Sequence, residues 1–283
     1  MRVQAQAKIN LSLDVGRLRP DGYHDVTMVM QEISLCDYLE LTLAGGAAPQ
    51  LFCDDPTLPA DRGNLALRAA TAFATATGCD LTGLTIHLEK RIPAMAGLGG
   101  GSADAAAVLR ALNQRMKTNL STECLQQIGL GIGSDVPFCV QGGAALAEGR
   151  GEILTAVPGL PPCGIVLIQP NFPVSTGALY QALDSTVLDD RPDTATMINA
   201  LQQSDLRLIC QALSNVFEQV LPPKERAMVA EMKTVLLAQG ATGALMTGTG
   251  SVVYGLFATK AQAEAGAKAL EGCYPTVLTA VPV

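Results

Sequence analysis

The sequence of 283 residues predicts an α+β fold in two domains. Three observations lead to this prediction. The N-terminal segment alternates polar and apolar residues, helical and strand patterns follow one another along the rest of the chain, and a stretch rich in proline and glycine, "PGLPPCG", interrupts them near the middle. We therefore place the two domains at residues 1–157 and 158–283. A hydrophobic fraction of 48% is enough for a sizeable core in each.

The elements follow from periodicity. Residues 3–15 carry apolar side chains at odd positions and polar ones at even positions, which predicts a long half-buried strand. "DYLELTLA" and "GLTIHLEK" predict two further strands, and "NLALRAATAFATATG", from Asn64 to Gly78, predicts a helix that the glycine ends. After the proline-rich stretch we expect the strand "IVLIQP", helices over 176–184, 205–220 and 224–238, the strand "VVYGLF", and a closing helix and strand.

Composition excludes several classes of function. The net charge of −7 and the lack of a run of Lys and Arg argue against binding to nucleic acid. No stretch approaches the roughly 18 apolar residues of a membrane span, and the N-terminus lacks the apolar core of a signal peptide. The eight cysteines are scattered, which argues against a zinc or thiol redox motif. We expect a cytoplasmic protein with reduced thiols that binds small molecules only, as a monomer or a weak homodimer.

The stretch "PAMAGLGGGSADAAAVLRALN", residues 93–113, is a glycine-rich turn that runs directly into a helical pattern. Such a turn gathers unpaired N–H groups at the positive end of the helix dipole, which favours an anion such as phosphate. It is not a Walker A loop, because Ser102, Ala103 and Asp104 stand where that loop has its lysine, and the glycine spacing does not fit a dinucleotide fingerprint. A tight strand-to-helix connection without a ligand is the alternative.

The same turn resembles the ATP loop of the GHMP kinases, the family of galactose, homoserine, mevalonate and phosphomevalonate kinases. The matching residues are Pro93, Ala94, Met95, Ala96, Gly97, Leu98, Gly99, Gly100, Gly101, Ser102 and Ala103. Three other stretches support the resemblance. "MTGTGSVVYGLF", with Gly248 and Gly250, is similar to the third motif of the family, and "AKINLSLDVGRLRPDGYHDVTMVMQEISLCD" and "GLGIGSDVPFCVQGGAALAEGRGE" are similar to one kind of member. "FPVSTGALY" matches more loosely.

The resemblance implies a two-domain GHMP architecture with the active site in the cleft between the domains, and it implies ATP and Mg²⁺ as cofactors. Residues 97–102 would wrap the ATP phosphates, and adenine would lie near Asn64, Leu65 and Lys90. A solvated strand end is the alternative for Lys90. In several members a serine of the ATP loop and a separate glutamate hold Mg²⁺; Ser102 is available here, but no glutamate clearly matches, so the resemblance leaves the protein ligands of Mg²⁺ unassigned.

The catalytic residues implied by the resemblance are Lys8 and Asp135. Lys8 would hold the acceptor and offset charge on the transferred phosphoryl group, Asn10 would contact the substrate beside it, and Asp135 would be the general base. Each has a simpler alternative. A lysine on the polar face of a strand is often solvated, and an aspartate before Val-Pro often caps a short helix.

Tyr23, His24 and Tyr180 are the implied specificity residues. In members of the family whose acceptor carries cytidine, the tyrosine stacks on cytosine and the histidine hydrogen-bonds its edge, and Tyr180 would form the second wall. A Tyr-His pair after a "PDG" turn is otherwise a common surface feature. The other histidine, His87, alternates with apolar residues and is expected to face outward without a task.

Two other functions remain open. A GHMP kinase for another alcohol, such as mevalonate or homoserine, would have no use for the aromatic "RPDGYH" loop. A binding protein that senses ATP or a sugar nucleotide without turnover would lack the lysine or the base, and both Lys8 and Asp135 are present.

Overall fold

The computed structural model describes residues 1–170, 172 and 174–283. In chain order the described strands are β1 (Arg2–Leu18), β2 (His24–Leu43), β3 (Gln50–Cys53), β4 (Leu84–Glu89), β5 (Ala144–Glu148), β6 (Ile153–Ala156), β7 (Gly164–Gln169), β8 (Ser214–Asn215), β9 (Gly243–Met246), β10 (Val253–Phe257) and β11 (Thr276–Ala280). The described helices are α1 (Leu65–Thr77), α2 (Gly100–Met116), α3 (Thr122–Leu130), α4 (Val136–Gln141), α5 (Thr176–Asp184), α6 (Thr194–Gln202), α7 (Leu206–Gln211), α8 (Phe217–Val220), α9 (Pro223–Ala238) and α10 (Lys260–Leu270). The predicted α+β class is confirmed.

The chain forms two compact units that are interleaved along the sequence. The first contains Met1–Ala7, Leu35–Ala94 and Gly99–Gly142, and the second contains Lys8–Ser34, Met95–Leu98 and Gly143–Val283. The long strands β1 and β2 contribute residues to both units. A division of the sequence at 157/158 stays a prediction.

The first unit combines a sheet with packed helices. The second half of β2 pairs antiparallel with β4, from Tyr38 opposite Glu89 to Leu43 opposite Leu84, and β3 pairs parallel with β4. Helix α2 packs against α1 and α4, and α3 packs against α4. The facing side chains of α1 and α2 are mostly small, so the two helices approach closely; the buried alanines are Ala66, Ala69, Ala70, Ala103, Ala105, Ala106, Ala107 and Ala111.

The second unit contains a four-stranded antiparallel sheet in the order β11-β7-β10-β9. Helices α9 and α10 pack on this sheet, and every residue of β10 is buried. The first half of β2 pairs with β5, which pairs with β6, and β1 pairs in parallel with the short β8 at Ser12 and Leu13.

The element predictions are largely confirmed, with two corrections. The predicted helix over 205–220 is wrong, because α7, β8 and α8 divide that segment, and β8 joins β1 in the middle of it. The half-buried character of β1 is confirmed at Gln4, which is exposed, but it is wrong in the middle of the strand, since Lys8, Asn10 and Ser12 on the polar side are buried. Polar partners cover that side; the Ser12 hydroxyl, for example, accepts from Val29 N at 3.3 Å.

No helix of the described residues combines the length and the apolar character needed to cross a membrane.

Helix α6 was not predicted from the sequence. The stretch "FPVSTGALY" leads into α5 as predicted, although its Pro173 lies outside the described residues.

Candidate active site

The glycine-rich turn connects β4 to α2. At two positions of this turn the backbone has a conformation that only glycine adopts without strain. Gly97 and Gly99 have φ of 76° and 70°, and a Cβ at Gly97 would lie 2.1 Å from the carbonyl oxygen of Thr247. Gly99 is the N-cap residue of α2, and no side chain caps the helix there. The first N–H groups of α2, from Gly100 to Ser102, therefore face outward from the helix end without a capping side chain, which suits an anion.

A second glycine turn follows β9 and lies against the middle of the first turn. Thr247 Oγ1 donates to the Gly97 carbonyl at 3.2 Å, and Val252 N donates to the Ala96 carbonyl at 3.3 Å. This second turn contains Gly248 and Gly250, the two glycines of the predicted third motif. The structure thus brings Met95–Leu98 of the first motif together with the third motif within the second unit.

Lys8 is held against these turns by Asn10. The Lys8 ammonium donates to Asn10 Oδ1 at 2.8 Å, and Gly248 N donates to the same oxygen at 3.1 Å. Lys8 is only 4% exposed, so the alternative of a solvated lysine is wrong. Asn10 is fully buried and also accepts a hydrogen bond from the Tyr254 hydroxyl through its carbonyl oxygen. Asn10 therefore orients Lys8, and its direct contact with a substrate stays a prediction.

Asp135 occupies the N-cap position of α4 in the first unit. Its side chain makes no capping hydrogen bond, and Pro137 in the first turn supplies no N–H that needs a cap. The alternative that the carboxylate serves to cap a helix is therefore wrong. The side chain is half-buried, and its role as the general base stays a prediction.

Two of the three predicted specificity residues, His24 and Tyr180, lie in an aromatic cluster in the second unit. The rings of His24 and Tyr180 lie 4.9 Å apart, and Tyr180 packs edge-on against Phe217 at 5.0 Å. His24 Nε2 lies 2.7 Å from Asp184 Oδ1, and the His24 side chain is 8% exposed. Tyr23 remains 47% exposed. His24 is therefore a packed and oriented side chain, not a surface feature.

Two residues of this cluster were missed from the sequence. Asp184 follows Tyr180 by four positions on α5, a spacing that places both on one face of the helix and could have been noticed. The Arg150 guanidinium lies 3.6 Å from the centre of the Tyr23 ring, a cation–π contact between distant segments that the sequence does not signal. Arg150 therefore covers one face of the Tyr23 ring.

Asn64 and Lys90, predicted to lie near adenine, both have internal partners in the first unit. Asn64 caps α1, since its Oδ1 accepts from Ala66 N at 3.0 Å. The Lys90 ammonium donates to the carboxylates of Asp37 and Asp104, and only 8% of its side chain is exposed. A solvated strand end is therefore the wrong interpretation of Lys90, and the adenine contacts of both residues stay predictions.

Burial and ion pairing have opposing effects on the pKa values around Lys90. Burial raises the pKa of Asp104 to about 7, against the opposing effect of the Lys90 charge, and the Asp37 carboxylate adds to the increase. The two carboxylates raise the pKa of Lys90, although burial works in the other direction. Two carboxyl groups and one amine, those of Asp37, Asp104 and Lys90, are thus buried together.

Comparisons with known proteins agree with this geometry. The family model for the GHMP kinases N terminal domain matches residues 64–143, and the GHMP kinases C terminal model matches residues 197–276. A 4-diphosphocytidyl-2-C-methyl-D-erythritol kinase from Exiguobacterium sibiricum is 46% identical over 254 residues, which are 90% of this chain and 88% of the relative. A protein of the same name from Geobacter metallireducens is 42% identical over 95% of this chain and 94% of its own. The chain belongs to the GHMP kinase family.

Solved structures of other GHMP kinases have a similar fold. A crystal structure of 4-(cytidine 5'-diphospho)-2C-methyl-D-erythritol kinase superposes with a TM-score of 0.83 at 32% identity and covers 100% of this chain and 99% of its own. A homoserine kinase from Cytophaga hutchinsonii superposes with a TM-score of 0.76 at 19% identity, over 100% of this chain and 94% of its own, which shows the shared fold.

Membership of a kinase family implies use of ATP, and the residues of this GHMP kinase fit that group. The uncapped N-terminus of α2 offers N–H donors for phosphate oxygens. Among the residues that the structure describes, no group of three or more His, Cys, Asp or Glu side chains is arranged to hold a metal ion.

Proposed function

We propose that this protein transfers the γ-phosphoryl group of ATP to the 2-hydroxyl of 4-diphosphocytidyl-2-C-methyl-D-erythritol, giving the 2-phosphate. This reaction belongs to non-mevalonate isoprenoid precursor biosynthesis. The observation that carries the proposal is the similarity of nearly the whole chain to kinases of that name, at 39–46% identity. The aromatic cluster of His24 and Tyr180, which a plain polyol would not need, supports it.

In the proposed reaction the 2-hydroxyl oxygen attacks the γ-phosphorus of ATP, and Asp135 accepts the hydroxyl proton. The bond between the γ-phosphorus and the bridging oxygen breaks, and ADP leaves with that electron pair. Lys8 offsets the negative charge of the transferred group, and Asn10 keeps the ammonium in place. The amides at the start of α2 hold the phosphates.

The acceptor would be selected by its base. Tyr23 would stack on cytosine with the ring face that Arg150 leaves open, His24 would hydrogen-bond the edge of the base, and Tyr180 would supply the second wall. Because Asp184 contacts Nε2 of His24, Nδ1 is the ring nitrogen left for the base. Asn64 and Lys90 would lie near adenine.

Mg²⁺ would accompany ATP and neutralise charge on the phosphate oxygens, and we assign it no protein ligand. A cytoplasmic location, a monomeric or weakly dimeric state, and the lack of nucleic-acid and membrane partners also stay predictions.

The proposal is tested by ATP consumption with Mg²⁺ and three acceptors in parallel: the cytidyl substrate, mevalonate and homoserine. We expect turnover with the cytidyl substrate alone, with the product identified by phosphorus NMR. Asp135→Asn should lose at least about a hundredfold in kcat while it binds both substrates. Asp80→Asn, an exposed carboxylate in a turn of the first unit, is the matched control. Turnover of mevalonate or homoserine would contradict the substrate, and near wild-type kcat in Asp135→Asn would contradict the base.

A further inference from the structure

Three ionisable side chains are buried together beside the glycine-rich turn, and the proposed reaction gives two of them no task. We call Asp37 of β2, Lys90 after β4 and Asp104 of α2 the ionic cluster. Their side chains are 0%, 8% and 3% exposed. Lys90 Nζ donates to Asp37 Oδ2 and, at 2.9 Å, to Asp104 Oδ2. All three belong to the first unit.

The ionic cluster holds the residues on both sides of the turn. On the entry side, Asp37 Oδ1 accepts from Arg91 N at 2.6 Å and from Ile92 N at 2.8 Å, immediately before Pro93. On the exit side, Lys90 holds Asp104, which lies one turn into α2. One ammonium thus connects the entry segment to the helix that begins at the turn.

Close packing reinforces this connection. A Cβ at Gly100, the first residue of α2, would lie 3.0 Å from Ile92 Cγ2 and 3.4 Å from Lys90 Nζ. The helix therefore begins directly against the entry segment. Small movements of Lys90 or Ile92 would be transmitted to the N–H groups of the first helical turn, because no spare space separates them.

Stability alone is a poor explanation for the ionic cluster. Three ionisable groups lose their hydration, and apolar side chains of similar volume often serve as well or better at such places. Among the described residues Asp104 Oδ1 is buried without a hydrogen-bond partner, which adds a cost. Ionic hydrogen bonds differ from apolar contacts in being directional, so they fix where α2 begins relative to the entry segment.

We propose that Asp37 and Asp104 are positioning residues for nucleotide binding, acting through Lys90. They set the position of the amides from Gly100 to Ser102 and thereby the affinity for the phosphates of ATP. The inference rests on the proposed function only in taking this turn as the ATP site; it does not depend on the acceptor.

The test measures ADP binding by calorimetry in the wild type, Asp37→Asn, Asp104→Asn and the double variant. We expect each single variant to bind ADP about tenfold more weakly, because a displaced donor loses much of its hydrogen bond. The double variant should lose less than the product of the single effects, because both act through one lysine. The KM for the alcohol acceptor should not change. Glu89→Gln, which removes an exposed carboxylate next to Lys90, should bind ADP like the wild type.

The outcomes separate the two proposals. A wild type that binds no ADP would overturn the proposed function together with this inference. A wild type that binds ADP, with Asp104→Asn and Asp37→Asn equal to it, would overturn the inference alone. Equal losses of ADP and acceptor affinity would also overturn it, because they would indicate general loosening and not positioning of the turn.

A second variant covers the case in which the single variants do not fold. Lys90→Met combined with Asp37→Asn and Asp104→Leu removes all three charges at once, and the amide oxygen at position 37 can still accept from Arg91 N and Ile92 N, so this variant should fold. It should still bind ADP about tenfold more weakly than the wild type, because apolar packing does not restore the directional contacts. Wild-type affinity in this variant would overturn the inference.

Discussion

Each unit contains a cluster in which aspartates pair with a basic side chain, and the two clusters differ in their exposure to water. The ionic cluster of the first unit is buried, whereas the loop before Tyr23 in the second unit carries Arg19 paired with Asp25 at 2.7 Å in contact with water. The Arg19 hydrogen bond lowers the pKa of Asp25, while burial raises the pKa of Asp104 in spite of its lysine partner. For these two aspartates, burial outweighs the paired cation at Asp104, whereas the paired cation outweighs burial at Asp25.

We expect the largest effect on stability from removing Lys90, the buried cation of the ionic cluster. Lys90→Met leaves Asp37 and Asp104 buried without a counter-charge, and we expect a loss of about 3–5 kcal/mol in the free energy of unfolding. Urea denaturation at pH 7.5 measures this. Glu89→Gln on the neighbouring exposed pair is the control and should change little. A loss in Lys90→Met no larger than in the control would show that the three charges are not effectively buried.

The second-largest expected effect is a pH dependence of stability that comes from Asp104 in the ionic cluster. With a pKa of about 7 in the fold against about 4 in the unfolded chain, Asp104 binds its proton more tightly in the folded state. Its contribution to stability therefore falls as pH rises from about 4 to about 7 and is constant above that. We expect Asp104→Asn to gain stability relative to the wild type between pH 5 and pH 8 in urea denaturation. An equal difference at both pH values would contradict the raised pKa.

A smaller effect is expected from the contact between Asp184 and His24. Asp184→Asn can both donate and accept, so it no longer fixes which ring nitrogen of His24 carries the proton. We expect affinity for cytidine diphosphate to fall about fivefold, with ADP affinity unchanged. Calorimetry with both nucleotides measures this. Asp189→Asn, an exposed carboxylate on the loop after the same helix, should bind both like the wild type.

The smallest effect belongs to the exposed pair. Because the pKa of Asp25 is lowered, its pairing stabilises the fold above about pH 4 and is lost only on further acidification. Asp25→Asn should therefore show a melting temperature close to that of the wild type, and no change in that difference between pH 5 and pH 8. A large shift in melting temperature at pH 7 would mean that this loop is more important for stability than its exposure suggests.

The contrast between the clusters also explains what the sequence reveals. The glycine-rich turn could be predicted because its backbone requires glycine locally, and the start and stop of α1 could be predicted because Asn64 and Gly78 cap it. The partners of Lys90 could not, because 53 and 14 residues separate it from Asp37 and Asp104. A signal was nevertheless present. Asp37 shares the strand face of Leu39 and Leu41, and Asp104 lies among buried alanines, so each carboxylate occupies a core position.

The burial of Lys8 and Asn10 was missed for a related reason. Alternation along β1 correctly indicates two faces, but it does not tell whether the polar face meets water or other polar groups. Here Asn10 meets Gly248, which is 238 residues away. The compact units were also out of reach, because composition marks a turn before β7 but not the passage of β1 and β2 from one unit to the other.

That interleaving has a consequence for synthesis of the protein. All residues of the first unit have been made once Gly142 leaves the ribosome, whereas the second unit joins Lys8–Ser34 to partners near the other end of the chain, such as Val281 hydrogen-bonded to Ser34 at 2.9 Å. The first half of β2 can pair earlier with β5, but the contact of Ser34 with the C-terminal segment must wait for about 250 further residues, at a rate of about 5–20 residues per second. Nascent chains of this kinase should therefore expose apolar strand surface for many seconds, and newly made protein should depend on chaperones more than its final stability suggests.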